Sequence, residues 1–162
     1  MLYMVMLGGH HPRAKIEVHD IVFACGDTLP HTYPALIRNW FGDPKRVHID
    51  AWMQIDGVDD YAVRLRPEPP AAGPRLYFVN LGGYLKQVFG EDHRYLLLVA
   101  DDMQSAKQQA KARAGELWLK PHRDNLAEVD DCLQLDQIEG LYVHLVREPH
   151  QECAFRNDYI VL

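Results

Sequence analysis

Two short patterns pair a carboxylate with an imidazole near the start of an apolar run. Glu17 and His19 lie at the start of "DIVFAC", and Glu91 and His93 lie at the start of "RYLLLVA". Side chains two residues apart on a strand point to the same face of a sheet. Each pair could therefore hold one ligand or share one proton, because imidazole titrates near neutral pH and a carboxylate can fix its tautomer.

A His-x-Asp pattern follows each pair at an equal distance. If the strand ends meet, each half of the chain assembles two carboxylates and two imidazoles, a set that suits Zn, Fe or Mn. General acid–base chemistry and a purely structural hydrogen-bond network are the competing interpretations, since neither motif is specific alone. The sequence identifies no catalytic residue, metal or cofactor. The candidate ligand-binding residues are Glu17, His19, His48, Asp50, Glu91, His93, His122 and Asp124.

The two halves of the chain resemble each other. At an offset of 74 residues, the segments 2–27 and 76–101 share 9 identities in 26 positions, where ordinary composition gives roughly one or two. Further on, 54–65 matches 134–145 at an offset of 80, which places a six-residue insertion between Asp124 and Gln134. We interpret this pattern as a tandem duplication.

The duplication predicts the domain organisation. Repeat unit one covers residues 1–67 and repeat unit two covers 76–148, and we expect them to pack as one globular body. A proline-rich linker, 68–75, joins them. The tail, 149–162, could add an edge strand from Tyr159 onward.

Each unit has one predicted order of strands. The first strand (2–7 or 76–81) is expected to end at a Gly-Gly turn. The second is continuously apolar and is expected in the centre of a sheet, covered on both faces. Two further strands close unit one, whereas unit two is expected to form a short helix over "DNLAEVDDCLQL" before its last strand.

The predicted helices lie between the second and third strands. The first places Pro34 in its first turn and ends before Gly42, and the second covers Met103–Ala114 and ends at Gly115. The predicted fold is therefore α+β, a duplicated β-β-α-β(-β) unit with helices packed on a sheet and pseudo-two-fold symmetry. The apolar stripe of the first helix is Tyr33, Leu36, Ile37, Trp40 and Phe41.

Composition excludes several classes of protein. The net charge is −6 and no basic stripe is present, which argues against nucleic acid and anionic membranes. No apolar run spans a bilayer. The three cysteines, Cys25, Cys132 and Cys153, share no motif and are odd in number, which is typical of a reducing cytosol. The single serine, Ser105, makes serine-hydrolase chemistry untenable.

These motifs together resemble one bacterial family. The segments "IEVHDIVF", "YPALIRNWFG", "HIDAW" and "VDDYAVRL", with "LYFVNLGGY" and "VDDCLQLD" in the second half, are similar to the domain of unknown function DUF1543. The resemblance covers residues 2–148. It implies that the chain is similar to family members that carry two copies of the domain. It implies no activity, cofactor or catalytic residue.

Three functions remain open from the sequence. The leading hypothesis is a small-molecule or metal-binding module that uses the repeated Glu-x-His and His-x-Asp set. The second is a hydrolase-type enzyme with a His–carboxylate acid/base or a metal centre. The third is an interaction protein whose C-terminal strand "YIVL" pairs with a second copy to form a homodimer.

Overall fold

The computed structural model describes residues 1–85, 87–117 and 128–162. Within them the chain forms antiparallel sheets and helices, so the predicted α+β class is confirmed. None of the described helices is long and apolar enough to cross a membrane. The elements are β1 (Leu2–Gly9), β2 (Val18–Cys25), α1 (Leu29–Asn39), β3 (His48–Ile55), β4 (Gly57–Val58), β5 (Tyr61–Arg66), β6 (Arg75–Tyr84), β7 (Glu91–Ala100), α2 (Met103–Leu117), β8 (Glu128–Gln134), β9 (Gln137–Ile138), β10 (Leu141–Val146) and β11 (Arg156–Val161).

The chain divides into two compact units. Unit 1 contains residues 1–69 and 137–162, and unit 2 contains 70–136. This division differs from the sequence repeats, because β10 pairs with β5 and β11 pairs with β3. The last strands of the second half therefore complete the sheets of unit 1.

The first sheet of unit 1 has the strand order β11-β3-β1-β2. Its central strand β1 is almost wholly buried, and α1 packs on the sheet through Leu29, Ala35 and Leu36, with Trp40, directly after the helix, in the same core. The tail supplies the edge strand β11, which begins at Arg156 rather than at Tyr159. A second sheet, β4-β5-β10-β9, belongs to the same unit.

Unit 2 is a three-stranded sheet, β7-β6-β8, with α2 packed on it. The helix contributes the small residues Ala106, Ala110 and Ala114, which let it lie close to the buried side chains of β6.

The first sheet of unit 1 and the sheet of unit 2 share one strand register. Leu2 pairs with Cys25 in β1–β2, and Leu76 pairs with Val99 in β6–β7, which are the same positions at an offset of 74. A register break follows Met6 in β1 and Asn80 in β6, again 74 residues apart. The positions that bracket the candidate site are therefore equivalent in both units.

The predicted central placement of β2 and β7 is wrong, since both are edge strands. Their apolar runs are only partly buried. In β2 the side chains of Val22 and Ala24 are buried while Phe23 is intermediate. The other face of β2 is partly covered by β9, where the Cys25 thiol donates to the Ile138 carbonyl at 3.6 Å. This additional cover explains a continuously apolar sequence in an edge strand.

Three predicted boundaries are also wrong. The Gly-Gly pairs lie inside β1 and β6 rather than in turns. Helix α1 begins one turn early, with Pro30 in its first turn and Pro34 in its interior, and Phe41 from the predicted stripe is exposed. Helix α2 continues through Gly115 to Leu117.

The predicted short helix in the second half is wrong where the structure describes it. Residues 128–134 form strand β8, paired along β6. The sequence "EVDDCLQL" shares with "HIDAWMQI" of β3 apolar residues at its second, fifth, sixth and eighth positions. Alternation is the strand signal, and in β8 the register break, where Asp130 is the extra residue, interrupts it.

Candidate metal site

Three strands of unit 1 bring polar side chains to one end of the first sheet. Gly8 of β1 lies opposite His19 of β2 on one side and opposite His48 of β3 on the other. Glu17 directly precedes β2, two residues from His19. The two imidazoles therefore flank a position that has no side chain.

Asp50 reaches the same place through a β-bulge. Met6 pairs with Ala51 and Leu7 pairs with Ile49, so Asp50 is the extra residue between them. A bulge re-aims side chains locally and is over-represented next to functional sites. Here it brings the Asp50 carboxylate to the two imidazoles.

Each imidazole lies beside both carboxylates, and Glu17, His48 and Asp50 offer ligand atoms within 4.8 Å of one another. His19 Nε2 lies 3.3 Å from Glu17 Oε1 and 3.2 Å from Asp50 Oδ2. His48 Nε2 lies 3.4 Å from Glu17 Oε1 and 3.3 Å from Asp50 Oδ1. Each imidazole nitrogen thus faces both carboxylates.

These distances suit shared coordination better than hydrogen bonding. Protein N–H···O bonds cluster near about 2.9–3.0 Å. Two ligand atoms about 2.1 Å from one metal ion, at bond angles of about 90–109°, stand roughly 3.0–3.4 Å apart. All four nitrogen–oxygen distances fall at or within rounding of that range.

His48 is the most buried of the four side chains. Its relative exposure is 5%, and its buried Nε2 has no hydrogen-bond partner, nor has the buried Asp50 Oδ2. The carboxylate oxygens are near but not in hydrogen-bonding geometry. Buried polar atoms almost always have partners, and a cation placed between these two adjacent atoms of metal-ligating type would satisfy both.

The glycine below the cluster leaves the room that these groups occupy. A β-carbon at Gly8 would lie 2.7 Å from His48 Nε2 and would collide with Asp50 Oδ2. Only glycine fits this position while the cluster keeps its arrangement. The "LGG" motif is therefore part of the site rather than a turn.

An open cleft of about 450 Å³ adjoins the cluster. Tyr159 of β11 lines it and places its ring 4.5 Å from the His48 ring, at 36°. The remaining lining includes the basic side chains His10, Lys15 and Arg46. The candidate site is thus partly accessible from solvent.

Unit 2 carries a related but more exposed cluster. Glu91, His93 and Asp130 each offer a ligand atom within 4.8 Å of the others. His93 Nδ1 lies 3.4 Å from Asp130 Oδ2 and 3.3 Å from Asn80 Oδ1, an amide oxygen that can accept a hydrogen bond from Nδ1–H. Gly82 again lies beneath, where a β-carbon would lie 2.5 Å from Glu91 Oε1.

The structure brings Glu17, His19, His48 and Asp50 together, and it places Glu91 beside His93. The predicted partners of the second pair, His122 and Asp124, lie outside the described residues.

Sequence reasoning missed Asp130, Tyr159 and the role of Gly8. In the register of β8, Asp130 occupies the bulge position of Asp50, and Glu128 stands opposite Gly82 as His48 stands opposite Gly8. If the offset of 80 residues is applied from Glu128 onward, the shared pattern of apolar residues aligns Asp130 with Asp50. No sequence signal places Tyr159 beside His48, because strand pairing of the tail brings it there.

Comparison with known proteins relates the chain to a family model and to a solved structure. Residues 14–65 match the model of the Domain of Unknown Function DUF1543. The crystal structure of protein Il1583 from Idiomarina loihiensis is similar over 98% of this chain and 95% of that one, at 36% identity and a TM-score of 0.76. No curated protein matches the chain.

Proposed function

The chain belongs to the DUF1543 family, and from its site we propose that the protein is a metal-binding module. One divalent transition-metal ion binds in unit 1 through Glu17, His19, His48 and Asp50. The observation that carries the proposal is the meeting of the Glu17 and Asp50 carboxylates at the buried, unpartnered Nε2 of His48, where the three side chains offer ligand atoms within 4.8 Å of one another.

The alternative of a structural network explains the site less well. A hydrogen-bonded His–carboxylate network would satisfy its buried nitrogen, because an orphaned buried donor or acceptor costs about 1–3 kcal/mol. Here the spacing is long and His48 Nε2 stays without a hydrogen bond. A cation between the four groups would satisfy both orphan atoms at once.

The donor set restricts the metal. Two imidazole nitrogens and two carboxylate oxygens suit Zn²⁺, Fe²⁺ or Mn²⁺, while no thiolate is present to favour a softer ion. Ca²⁺ and Mg²⁺ prefer all-oxygen ligands. We therefore propose a borderline transition metal.

We also propose that the chain is a tandem duplication whose second site has weakened. The shared register, the shared bulge position and the paired glycines Gly8 and Gly82 support the duplication. In unit 2, Glu128 stands at the position of His48, and the described ligands are more exposed. We expect the second site to bind metal more weakly than the first.

Metal analysis of the protein after dialysis against Zn²⁺ tests the proposal. The wild type is expected to retain one tightly bound ion per chain. Glu17→Gln is expected to weaken binding roughly a hundredfold or more, since even indirect support of a metal ligand is worth 10–100-fold. Glu17 is half exposed, so this variant should fold normally.

Matched variants make the result specific. Asp20→Asn removes a carboxylate three residues further along the chain, whose Oδ1 accepts from the Ile21 amide and which is not in the group of close ligand atoms, and this variant should bind like the wild type. Glu91→Gln removes a ligand from the cluster of unit 2 and therefore measures the metal bound there. If wild type and Glu17→Gln bind equally, the site in unit 1 is not a metal site.

An enzymatic role is the second candidate. The cleft that opens beside the cluster favours it, because a metal that contacts solvent can polarise a substrate or activate water. In that role Glu17, His19, His48 and Asp50 hold the ion, and the cleft admits the substrate.

A further inference from the structure

The cleft beside the candidate metal site indicates a class of ligand. We propose that it binds a small molecule through a carboxylate or phosphate group whose oxygen reaches the metal. This inference rests on the metal-binding function proposed above and adds the chemistry of the second ligand.

Two permanent cations line the cleft. Lys15 and Arg46 stand on its wall together with His10. The Arg46 side chain is 68% exposed, and its Nε lies 4.0 Å from Asp43 Oδ2, which is too long for a strong ion pair. In the described part of the chain, no salt bridge engages the Lys15 ammonium. Both groups can therefore turn to a ligand.

The metal sets the sign of the local charge. Without it, Glu17 and Asp50 carry two negative charges that offset Lys15 and Arg46. A divalent ion neutralises the two carboxylates and leaves the two cations in excess. Opposite charge then attracts an anion at short range, so anion binding should depend on the metal.

The cleft also fits an organic body. Its volume of about 450 Å³ lies in the range of small-molecule sites, about 300–1,000 Å³. Ile16, Tyr159 and Val161 line it and are 80%, 71% and 67% exposed. These apolar surfaces can pack against the uncharged part of a ligand whose anionic group points to the metal.

Isothermal titration calorimetry on the full chain separates the two steps. Co²⁺ titrated into metal-free protein measures the metal site. Inorganic phosphate or acetate titrated into the Co²⁺-loaded and the metal-free protein then measures the anion site, and the two probes distinguish phosphate from carboxylate recognition. We expect one of them to bind the loaded protein at least tenfold more tightly than the metal-free protein.

A charge-removing pair of variants tests the residues. Lys15→Met combined with Arg46→Gln should keep Co²⁺ affinity within a few-fold and weaken the anion at least tenfold. Lys45→Met removes a charge from the neighbouring position, which does not line the cleft, and should leave both affinities unchanged.

The outcomes distinguish the two proposals. If Co²⁺ does not bind, the proposed function fails and this inference fails with it. If Co²⁺ binds but neither anion does, the inference alone is overturned. Equal anion binding with and without metal, or equal losses in the double variant and in Lys45→Met, would also overturn it.

Discussion

A β-carbon on Gly8 would lie 2.7 Å from Nε2 of His48, a distance that β-carbons essentially never show to atoms of other residues outside their chain neighbours. The cluster can keep its arrangement only while this position lacks a side chain. We therefore predict that Gly8→Ala displaces the His48 imidazole and the Asp50 carboxylate and lowers metal affinity roughly tenfold or more. Metal titration of the purified variant measures this loss.

The equivalent glycine of unit 2 provides the control for that prediction. Gly82→Ala introduces the same methyl group against Asp130 and Glu91. It should leave the metal site of unit 1 intact and affect only binding in unit 2. Thermal unfolding of both variants without metal should be similar, and equal metal losses in the two would contradict the assignment.

His150 makes a pH-dependent contribution to stability. Its Nδ1 lies 3.0 Å from the Gln151 carbonyl and its Nε2 lies 2.9 Å from the Asp59 carbonyl. Because both partners are acceptors, only the protonated ring satisfies both. These two hydrogen bonds, chiefly that to Gln151, raise the His150 pKa above its usual value, with a smaller effect from Asp56 and an opposing one from Arg64.

The sign of the effect follows from the raised pKa. The stabilisation is fully present below the pKa that His150 has in the unfolded chain, about 6.5. It is lost as the pH rises through the higher pKa of His150 in the folded protein. We predict that His150→Gln lowers the unfolding free energy, relative to the wild type, more at acidic pH than at alkaline pH. Urea denaturation at several pH values with chelator present measures it. His31→Gln, on the exposed side of α1, should reproduce the wild-type profile.

Cys25 should react slowly with alkylating agents. Burial, and then the charge of Glu139, raise the pKa of the Cys25 thiol to about 11. Since the thiolate is the nucleophile, only about one thiol in ten thousand is reactive at pH 7. Mass spectrometry after brief iodoacetamide treatment should find Cys25 largely unmodified.

Glu139→Gln offers a specific check on this explanation. Glutamine keeps an oxygen that can accept from the Cys25 amide, as Glu139 Oε2 does at 2.8 Å, but removes the charge. Cys25 should then alkylate faster. An unchanged rate would show that burial alone suppresses the thiol.

In unit 1 the sequence predicted which side chains lie together better than it predicted the order of the strands. Glu17, His19, His48 and Asp50 were identified because their spacing repeats and because alternation places side chains two apart on one face. Their convergence depends on β1 lying between β2 and β3, which no local pattern specifies. The continuous apolar run of β2 suggested a central strand, whereas cover from β9 produces the same composition at an edge.

The second half was harder to predict because its insertion shifts the register. Keeping an offset of 74 up to Asp124 missed Asp130, which reaches the cluster only because β8 has the same bulge as β3. Tyr159 is separated from His48 by more than a hundred residues and meets it only through β11. Contacts of this kind arise from the tertiary fold.

The packing of the Tyr159 ring against the His48 ring, tilted by 36°, should support the metal site. The two ring centroids lie 4.5 Å apart, and Val161 of the same strand pairs with His48 along the backbone. An aromatic pair contributes about 0.5–1.5 kcal/mol, which corresponds to an affinity change of up to about tenfold. We predict that Tyr159→Ala weakens metal binding by a few-fold to tenfold, because the imidazole loses the surface that orients it.

Tyr159→Phe keeps the ring and should bind like the wild type, and so should Phe155→Ala, which removes an exposed aromatic group from the same tail. Calorimetric metal titration of the three variants measures the effect, and a Phe variant as weak as the Ala variant would assign the support to the hydroxyl group instead of the ring.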